Sequence, residues 1–322
     1  MPSSTSSSDT PPSPGSAGRA SALLLAGALL LLVGAEIGAR TVVYDMSRML
    51  GRLRQESREA ERLGPSPALP PPVLLVGNSL LERGIDVAAL DAALEPDHRA
   101  ARYVIEQTTY YDWYFGLRRL MSAGSRPEAV VLCFEPRHLL GLSIRDQIFA
   151  RYSMQPRDIF RVSSSVGLSP TQTSELFFAN VSEFWGLRGE VRKNVLGRLL
   201  PSFPALAAMM TRHAPPPRAS LSELSTTGAT RMTALRQEVE RYGVRFVLAL
   251  VPPVQREEAE LLRRLGADDG IVVLAPLVDD ELQRADYDPD GYHLSPQGRD
   301  SYTAALAREL RTVLPGSTVR AR

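Results

Sequence analysis

The side chains best suited to chemistry lie in two short segments far apart in the sequence. Ser79 follows the apolar run 73–76 and Gly77, a pattern typical of a turn between a strand and a helix. Ligands of open parallel sheets bind beyond the carboxyl ends of the strands, so a serine there can act as a nucleophile. Histidine is the usual base for such a serine, which favours His293, and Asp290 can orient the imidazole ring. Taken alone, the first segment is more simply explained by an ordinary strand-to-helix turn and the second by a solvated loop with a capping Asp.

Other reactive residue types give weaker indications. His98 lies in a polar turn and His213 in a proline-rich segment, whereas His138 follows a predicted strand and can face the same cleft. Cys133 falls inside a predicted strand. Zinc-protease, Walker and dinucleotide-binding motifs are absent from the sequence, so we predict neither a metal nor a cofactor.

The C-terminal loop also has a calcium-site interpretation. The start of a calcium-binding loop is imitated by Asp286, Asp288 and Asp290. Gln297 stands where such a loop needs a bidentate Glu, and Pro289 interrupts the spacing. The calcium interpretation is therefore the weaker one.

Composition excludes several classes of protein. The 322 residues include 37 Lys and Arg against 36 Asp and Glu, a balance without the basic excess that nucleic-acid binding requires. One cysteine excludes an internal disulfide. Lys193 is the single lysine, which leaves little scope for lysine-based covalent chemistry.

From residue 73 onward, apolar runs of strand length alternate with helical patterns. The predicted strands are 73–76, 102–107, 129–134, 244–251 and 271–274. The predicted helices are 86–94, 111–123, 230–242, 256–265 and 296–313. This alternation is typical of a parallel sheet covered on both faces, so we predict a three-layer α/β domain over 73–322.

A helical insertion is predicted at 136–220, where the alternation lapses into helix-like fragments separated by prolines. Its aromatic residues form either the insertion's own core, which is the simpler interpretation, or an interaction surface. These residues are Phe177, Phe178, Phe184 and Trp185.

The N-terminal region is predicted to lie outside the domain. Residues 1–18 are rich in Ser, Thr, Pro and Gly and are predicted to be disordered. Ala20–Ala39 is about the length of a helical membrane span, so we predict a transmembrane anchor over 19–39 with the lipid bilayer as partner. A cleaved signal peptide and a buried helix are the alternatives. Residues 40–72 are predicted to form a helical stalk and a proline-rich linker.

An early Gly-x-Ser at a strand end and a late Asp-x-x-His before the last helix resemble the SGNH (GDSL-like) hydrolase superfamily. The resemblance extends over 73–313 and implies a flavodoxin-like parallel sheet. In that family the serine is the nucleophile, the histidine the base and the aspartate its orienter. By position these are Ser79, His293 and Asp290. The segment 74–86 looks in particular like bacterial membrane-anchored members.

The sequence departs from the family at its oxyanion donors. Family members usually carry a Gly after the second strand and an Asn after the third, and neither is present at 107–110 or 134–138. The backbone N–H groups of Thr108 and Thr109 and the Arg137 side chain are the predicted substitutes. Asn78 and His138 complete the predicted oxyanion and substrate-binding residues. Glu135 would oppose a developing negative charge, which makes a slow or inactive protein an open alternative.

The resemblance implies a membrane-anchored serine esterase or O-acyltransferase that acts on a cell-envelope carbohydrate through an acyl-serine intermediate. Transfer would require a multi-span membrane protein to deliver the acyl donor. The alternative is an inactive SGNH-like scaffold or binding protein in the assembly of envelope polysaccharide.

The charge distribution and the family resemblance predict opposite orientations of the chain in the membrane. Arg19 precedes the span, whereas five arginines follow it over 40–58, so the positive-inside rule places the domain in the cytoplasm. The envelope substrate implied by the resemblance requires an extracytoplasmic domain. We adopt the extracytoplasmic orientation as the prediction and leave the conflict open.

Overall fold

A single sheet of five parallel strands organises the computed structural model, which describes residues 14–145, 149–200, 202 and 218–316. The strands are β1 (Pro72–Gly77), β2 (Arg99–Val104), β3 (Ala129–Phe134), β4 (Arg245–Leu250) and β5 (Val272–Leu274). Their spatial order is β2-β1-β3-β4-β5, and every neighbouring pair is parallel. This is the flavodoxin-like order, so the predicted α/β class is confirmed.

Helices connect the strands. In chain order they are α1 (Pro14–Gly38), α2 (Arg48–Glu61), α3 (Ser79–Gly84), α4 (Val87–Leu94), α5 (Tyr110–Ser122), α6 (Ala150–Ser153), α7 (Ile159–Val166), α8 (Pro170–Val181), α9 (Glu183–Leu199), α10 (Ala229–Glu240), α11 (Arg256–Asp268) and α12 (Pro296–Val313). Shorter helical turns occupy Ala39–Val43, Tyr44–Met46, Pro136–Leu140, Pro156–Asp158, Leu221–Glu223, Leu224–Gly228, Asp279–Glu281 and Arg284–Asp286.

Both faces of the sheet are buried. Along β1, Leu74 and Val76 pack into the core formed with α2, α5, α10 and α11. The alternate residues Val73 and Leu75 pack into the core formed with α3, α4 and α12. A strand buried on both faces has no polar alternation, which explains the continuous apolar runs in the sequence.

β2 begins and ends earlier than the predicted 102–107. It pairs with β1 from Arg99 to Val104, and the chain turns at 106–107. Residues 99–102 are only half-buried because β2 is an edge strand. Residues 99–102 are two alanines between two arginines, so the hydropathy pattern does not show where β2 begins.

α2 is part of the α/β domain, which corrects the predicted stalk within 40–72. Leu50 and Leu53 are fully buried in the core. Glu56, also buried, accepts a hydrogen bond from the Val104 N–H at 3.0 Å on the edge strand. The charged residues of α2 thus partner the edge of the sheet, and the domain extends N-terminal to residue 73.

α2 runs antiparallel to the strands. Near its start, Arg52 pairs with Glu106, just after β2, and with Glu82 of α3 at 3.5 Å. Near its end, the Ala60 carbonyl accepts a hydrogen bond from Ser125 Oγ at 2.6 Å, before β3. The start of α2 therefore lies at the edge formed by the carboxyl ends of the strands, which we call the carboxyl rim.

α1 contains the predicted span. The helical stretch Gly18–Met46 has a most apolar window with a mean hydropathy of 2.2 that is 6% buried, and it is long enough to cross a membrane. Of the predicted disordered tail, residues 1–13 lie outside the described residues, whereas 14–18 are helical, which corrects the prediction. Proline is well tolerated at the first position of a helix, so the helix can start at Pro14.

The described part of the predicted insertion 136–220 is helical. Helices α6–α8 of the insertion form a small hydrophobic core together with Phe115 of α5. The other members of this core are Ala150, Met154, Ile159, Val162, Leu176 and Ala179. The prolines at 201, 204 and 215–217, together with His213, lie outside the described residues.

Candidate active site

The first segment of the site is the turn between β1 and α3. A Cβ atom added at Gly77 would lie 2.6 Å from the Cys133 carbonyl oxygen, so a side chain does not fit between β1 and β3 there. Asn78 caps α3, since its Oδ1 accepts the Leu80 N–H at 3.0 Å. Ser79 thereby becomes the first residue of α3, half-buried at the carboxyl rim.

The second segment is the loop 287–294, whose ends are joined by an antiparallel bridge. Gly291 has a φ of +68°, a conformation that glycine adopts without strain. Asp290 Oδ1 accepts the backbone N–H groups of Tyr292 at 2.9 Å and His293 at 3.0 Å. The carboxylate is therefore fixed against the backbone of the residue that it faces.

The two segments meet at the carboxyl rim. The Nε2 atom of His293 lies 3.0 Å from Ser79 Oγ, and its Nδ1 atom lies 2.8 Å from Asp290 Oδ2. The His293 side chain is 16% exposed, so a small molecule in the cleft can contact it. The structure thus places the three residues in the hydrogen-bonded order expected of a nucleophile, a base and an orienting carboxylate.

The Asp290 carboxylate is held in its charged form. Partial burial raises its pKa, but hydrogen bonds from the His293 ring and from the backbone of His293 and Tyr292 outweigh this effect and lower the pKa to about 2. The Arg83 guanidinium adds a positive charge 3.6 Å from Asp290 and 3.5 Å from Asp288. This contact could not be predicted from the sequence, because Arg83 is remote from the loop in the chain.

Asn78 and His138 lie beside Ser79 but face inward. Asn78 Nδ2 donates to the Thr108 carbonyl at 3.0 Å and contacts His138 Nδ1 at 3.5 Å. Burial is the main cause that lowers the pKa of His138 to about 3, so its ring is neutral. Both side chains position the turns of the site, which corrects their predicted roles as oxyanion or substrate-binding groups.

Thr108 and Thr109 differ as oxyanion donors. The Thr109 N–H donates to Asp112 Oδ2 at 3.0 Å, so the prediction is wrong for this group. Within the described ranges, the Thr108 N–H has no hydrogen-bond acceptor. Gln107, just before it, has a φ of +61°, which is uncommon for a residue with a side chain. The structure therefore leaves Thr108 as the backbone candidate at this turn.

Arg137 is engaged with its neighbours. Its Nε donates to the Glu135 carboxylate at 2.7 and 2.8 Å, and its Nη2 donates to the Tyr292 hydroxyl at 2.7 Å. The Tyr292 hydroxyl donates in turn to Glu135 at 2.6 Å. These contacts turn the Nε and Nη2 groups of Arg137 away from an oxyanion role, which stays a prediction for this side chain, and the charge of Glu135 is balanced within the cluster. The sequence does contain a signal for this ion pair, because Glu135 and Arg137 carry opposite charges and stand two residues apart just after a buried strand.

The acidic residues of the calcium interpretation have separate partners. Asp286 Oδ2 accepts the Gln283 N–H at 2.8 Å, whereas Asp288 pairs with Arg83 and Asp290 with His293. Over the described ranges, the structure contains no cluster of three or more His, Cys, Asp or Glu side chains suited to a metal ion. Burial raises the pKa of the Cys133 thiol well above its usual range, so this residue is not a nucleophile.

No family model matches the chain, and no curated protein matches it. Solved structures do match. TesA aligns with a TM-score of 0.36 and 14% identity over 76% of this chain and 99% of that chain. LAE5, an alpha/beta hydrolase enzyme from the metagenome of Lake Arreo, Spain, aligns with a TM-score of 0.36 and 13% identity over 74% of this chain and 94% of that chain. Both likenesses are distant, and the fold class stands on the order and direction of the five strands.

Proposed function

We propose that this chain is a membrane-anchored serine esterase of SGNH-like fold, with Ser79 as nucleophile, His293 as base and Asp290 as its orienter. The observation that carries the proposal is the continuous pair of hydrogen bonds from Ser79 Oγ through the imidazole to the aspartate. A base that accepts the hydroxyl proton during attack activates an otherwise weak nucleophile.

The reaction begins when Ser79 Oγ forms a bond to the carbonyl carbon of an ester while His293 Nε2 takes its proton. The C–O bond to the leaving alcohol then breaks, and the imidazolium returns the proton to that oxygen. The charged Asp290 stabilises the imidazolium between these steps and keeps Nε2 directed at the serine. In the second half of the reaction, water attacks the acyl-serine while His293 Nε2 takes a proton from it. The C–O bond to Ser79 Oγ then breaks, the imidazolium returns the proton to that oxygen, and the acid is released.

Two backbone groups are proposed as donors to the oxyanion. The N–H of Ser79 lies in the first turn of α3, where helical N–H groups lack an acceptor within the helix. The Thr108 N–H is the second donor, and the hydrogen bond from Asn78 to the Thr108 carbonyl holds this turn beside Ser79. These backbone donors take the place of the family's glycine and asparagine, which are absent at 107–110 and 134–138 of this sequence.

A sugar hydroxyl in place of water would make the same acyl-serine an intermediate of transfer. Under this extension of the proposal, the acceptor is an envelope carbohydrate and a multi-span membrane protein supplies the acyl donor. The extension also requires that Ala20–Ala39 cross the bilayer and that the domain lie outside the cytoplasm. The apolar length of α1 supports the anchor.

Labelling with a fluorophosphonate tests the proposed nucleophile. The full-length protein in detergent is treated with the probe, and the modified residue is identified by peptide mass spectrometry. We expect labelling at Ser79, its loss in Ser79→Ala, and strong reduction in His293→Ala. Ser301→Ala is the matched control, because Ser301 is exposed on α12.

Labelling that persists in Ser79→Ala would overturn the assignment. An absence of both labelling and turnover of a p-nitrophenyl acyl ester in a folded wild-type protein would favour the inactive scaffold. Hydrolysis and transfer are separated by adding an oligosaccharide acceptor and measuring the acylated sugar against free acid.

A further inference from the structure

Four exposed apolar side chains form a patch at the turn between α8 and α9. Their exposed fractions are 39% for Phe177, 49% for Phe178, 43% for Val181 and 36% for Trp185. The rings of Phe177 and Phe178 lie 5.8 Å apart, and those of Phe178 and Trp185 lie 5.6 Å apart. We call these four residues the aromatic tip. Their exposure corrects the simpler expectation that the insertion's aromatics form its core, although Phe184 does pack against the main core.

The turn that carries the aromatic tip is attached to the end of α1. The Glu36 carboxylate accepts hydrogen bonds from Ser182 Oγ at 2.8 Å and from the backbone N–H groups of Glu183 at 3.0 Å and Phe184 at 3.1 Å. Arg40 donates to the same carboxylate at 2.9 Å. The start of α9 is thereby fixed to the last turns of the apolar helix, directly beside Trp185.

We propose that the aromatic tip inserts into the interfacial layer of the same bilayer that α1 crosses, as a second contact between this chain and lipid. The inference rests on the membrane anchor of the proposed function. Aromatic rings are enriched at the membrane–water interface, where their apolar bodies enter the acyl boundary and polar groups stay hydrated. The Arg188 guanidinium lies 4.6 Å from the Trp185 ring centre and is held there by the Trp185 carbonyl at 2.6 Å and the Glu175 carboxylate at 3.8 Å, so a charged group borders the ring.

Continuity with the anchor favours lipid over a protein partner. Ile37, 57% exposed, is in the last turn of α1 and shares a cavity of about 490 Å³ with Phe184. Leu32 and Val33 of α1 line the same cavity. Glu36, Arg40 and Ser182 supply its polar lining. The span and the first turn of α9 therefore share this cavity, and Phe184 in it directly precedes Trp185 of the aromatic tip.

Tryptophan fluorescence tests this contact. The chain has two tryptophans, and Trp113 is buried in the core, so Trp185 alone is available to lipid. The full-length protein is reconstituted into phosphatidylcholine–phosphatidylglycerol vesicles with and without brominated acyl chains. We expect brominated lipid to quench the emission of the wild type and to have little effect on Trp185→Phe.

A matched reporter is placed at the opposite end of the sheet. Glu240→Trp in the Trp185→Phe background puts a tryptophan at an exposed position near the amino ends of the strands. We expect this reporter to respond to aqueous acrylamide and not to brominated lipid. Equal lipid quenching of both reporters would overturn the inference.

Each of the remaining outcomes of the quenching and flotation measurements would overturn the inference. If the protein floats with the vesicles but acrylamide alone quenches Trp185, or if neither quencher does, the tip contacts water or protein and the inference fails while the anchor stands. If the protein does not float with vesicles, the anchor and the tip contact both fail. Fluorophosphonate labelling of Ser79 is independent of each of these results.

Discussion

His293 Nε2 lies 3.0 Å from Ser79 Oγ although 214 positions separate the two residues in the chain. The contact exists because β1 and the loop before α12 both end at the carboxyl rim. A hydroxyl and an imidazole in contact at that edge, with a carboxylate on the far ring nitrogen, have the geometry that the proposed acyl transfer requires. Activity should therefore depend on single atoms of these side chains.

Removal of the nucleophile or the base should abolish most turnover. We expect Ser79→Ala and His293→Ala each to lower kcat for an activated acyl ester by about 10⁴-fold or more, because the residues act as a unit. The double variant should be no worse than either single variant. Steady-state hydrolysis by the detergent-solubilised full chain measures this, and additive losses in the double variant would contradict a shared mechanism.

Asp290→Asn should lower kcat at every pH between 5 and 9 without adding a new acid limb. The pKa of Asp290 is about 2, so the carboxylate is already charged throughout that range. Loss of a triad carboxylate lowers kcat by up to about 10⁴-fold in other serine enzymes. A pH–rate profile checks this, and a wild-type limb that disappears in Asp290→Asn would argue against it.

The same carboxylate links stability to acid pH. Its folded pKa lies below its ordinary value of 3.8, so its contribution to stability is present above about pH 4 and is lost as the pH falls through about 2. The difference in melting temperature between wild type and Asp290→Asn should therefore shrink between pH 4 and pH 2. A constant difference over that range would show that Asp290 does not stabilise the fold as a charged group.

Gly77→Ala should destabilise the fold by about 1–3 kcal/mol, because the new methyl group overlaps the Cys133 carbonyl and the backbone of two adjacent strands cannot separate easily. Thermal unfolding measures the change. Gly197→Ala is the matched control, since no atom lies within 4 Å of a Cβ atom added there and alanine favours a helix. Equal melting temperatures for the two variants would contradict the packing at β1.

Glu56→Ala should destabilise the domain by about 1–3 kcal/mol, because the Val104 N–H and the Arg102 guanidinium both lose their acceptor. Glu59→Ala on the exposed side of α2 is the control and should change stability by less than about 0.5 kcal/mol. If both variants melt with the wild type, α2 would be a separate stalk after all.

Elements with local signals were predictable from the sequence. β3 and α12 occupy the predicted residues 129–134 and 296–313, because a strand buried on both faces and a Ser-Pro helix start are both visible in the chain. β2 and α2 were predicted less well, because each depends on the other. The buried Glu56 of α2 is explained only when β2 is known, because Val104 and Arg102 of that strand donate to its carboxylate.

The candidate site also has a part that the sequence predicts and a part that it does not. The triad could be proposed from residue types and order, because few combinations of a serine, a histidine and an aspartate suit one rim. Which backbone N–H remains free could not be predicted, since Asp112 occupies that of Thr109 and no pattern announces it. The contact between Arg137 and Tyr292 could not be predicted for a similar reason, because Tyr292 reaches the guanidinium from a distant segment.

Because α2 begins at the carboxyl rim, the chain enters the domain on the side where Ser79 opens, and with α1 in a bilayer the catalytic cleft would be held close to the headgroups. Molecules that diffuse along the membrane would then reach the serine by a search in two dimensions. The quantity governing turnover would be substrate per unit area of lipid rather than per unit volume of solution.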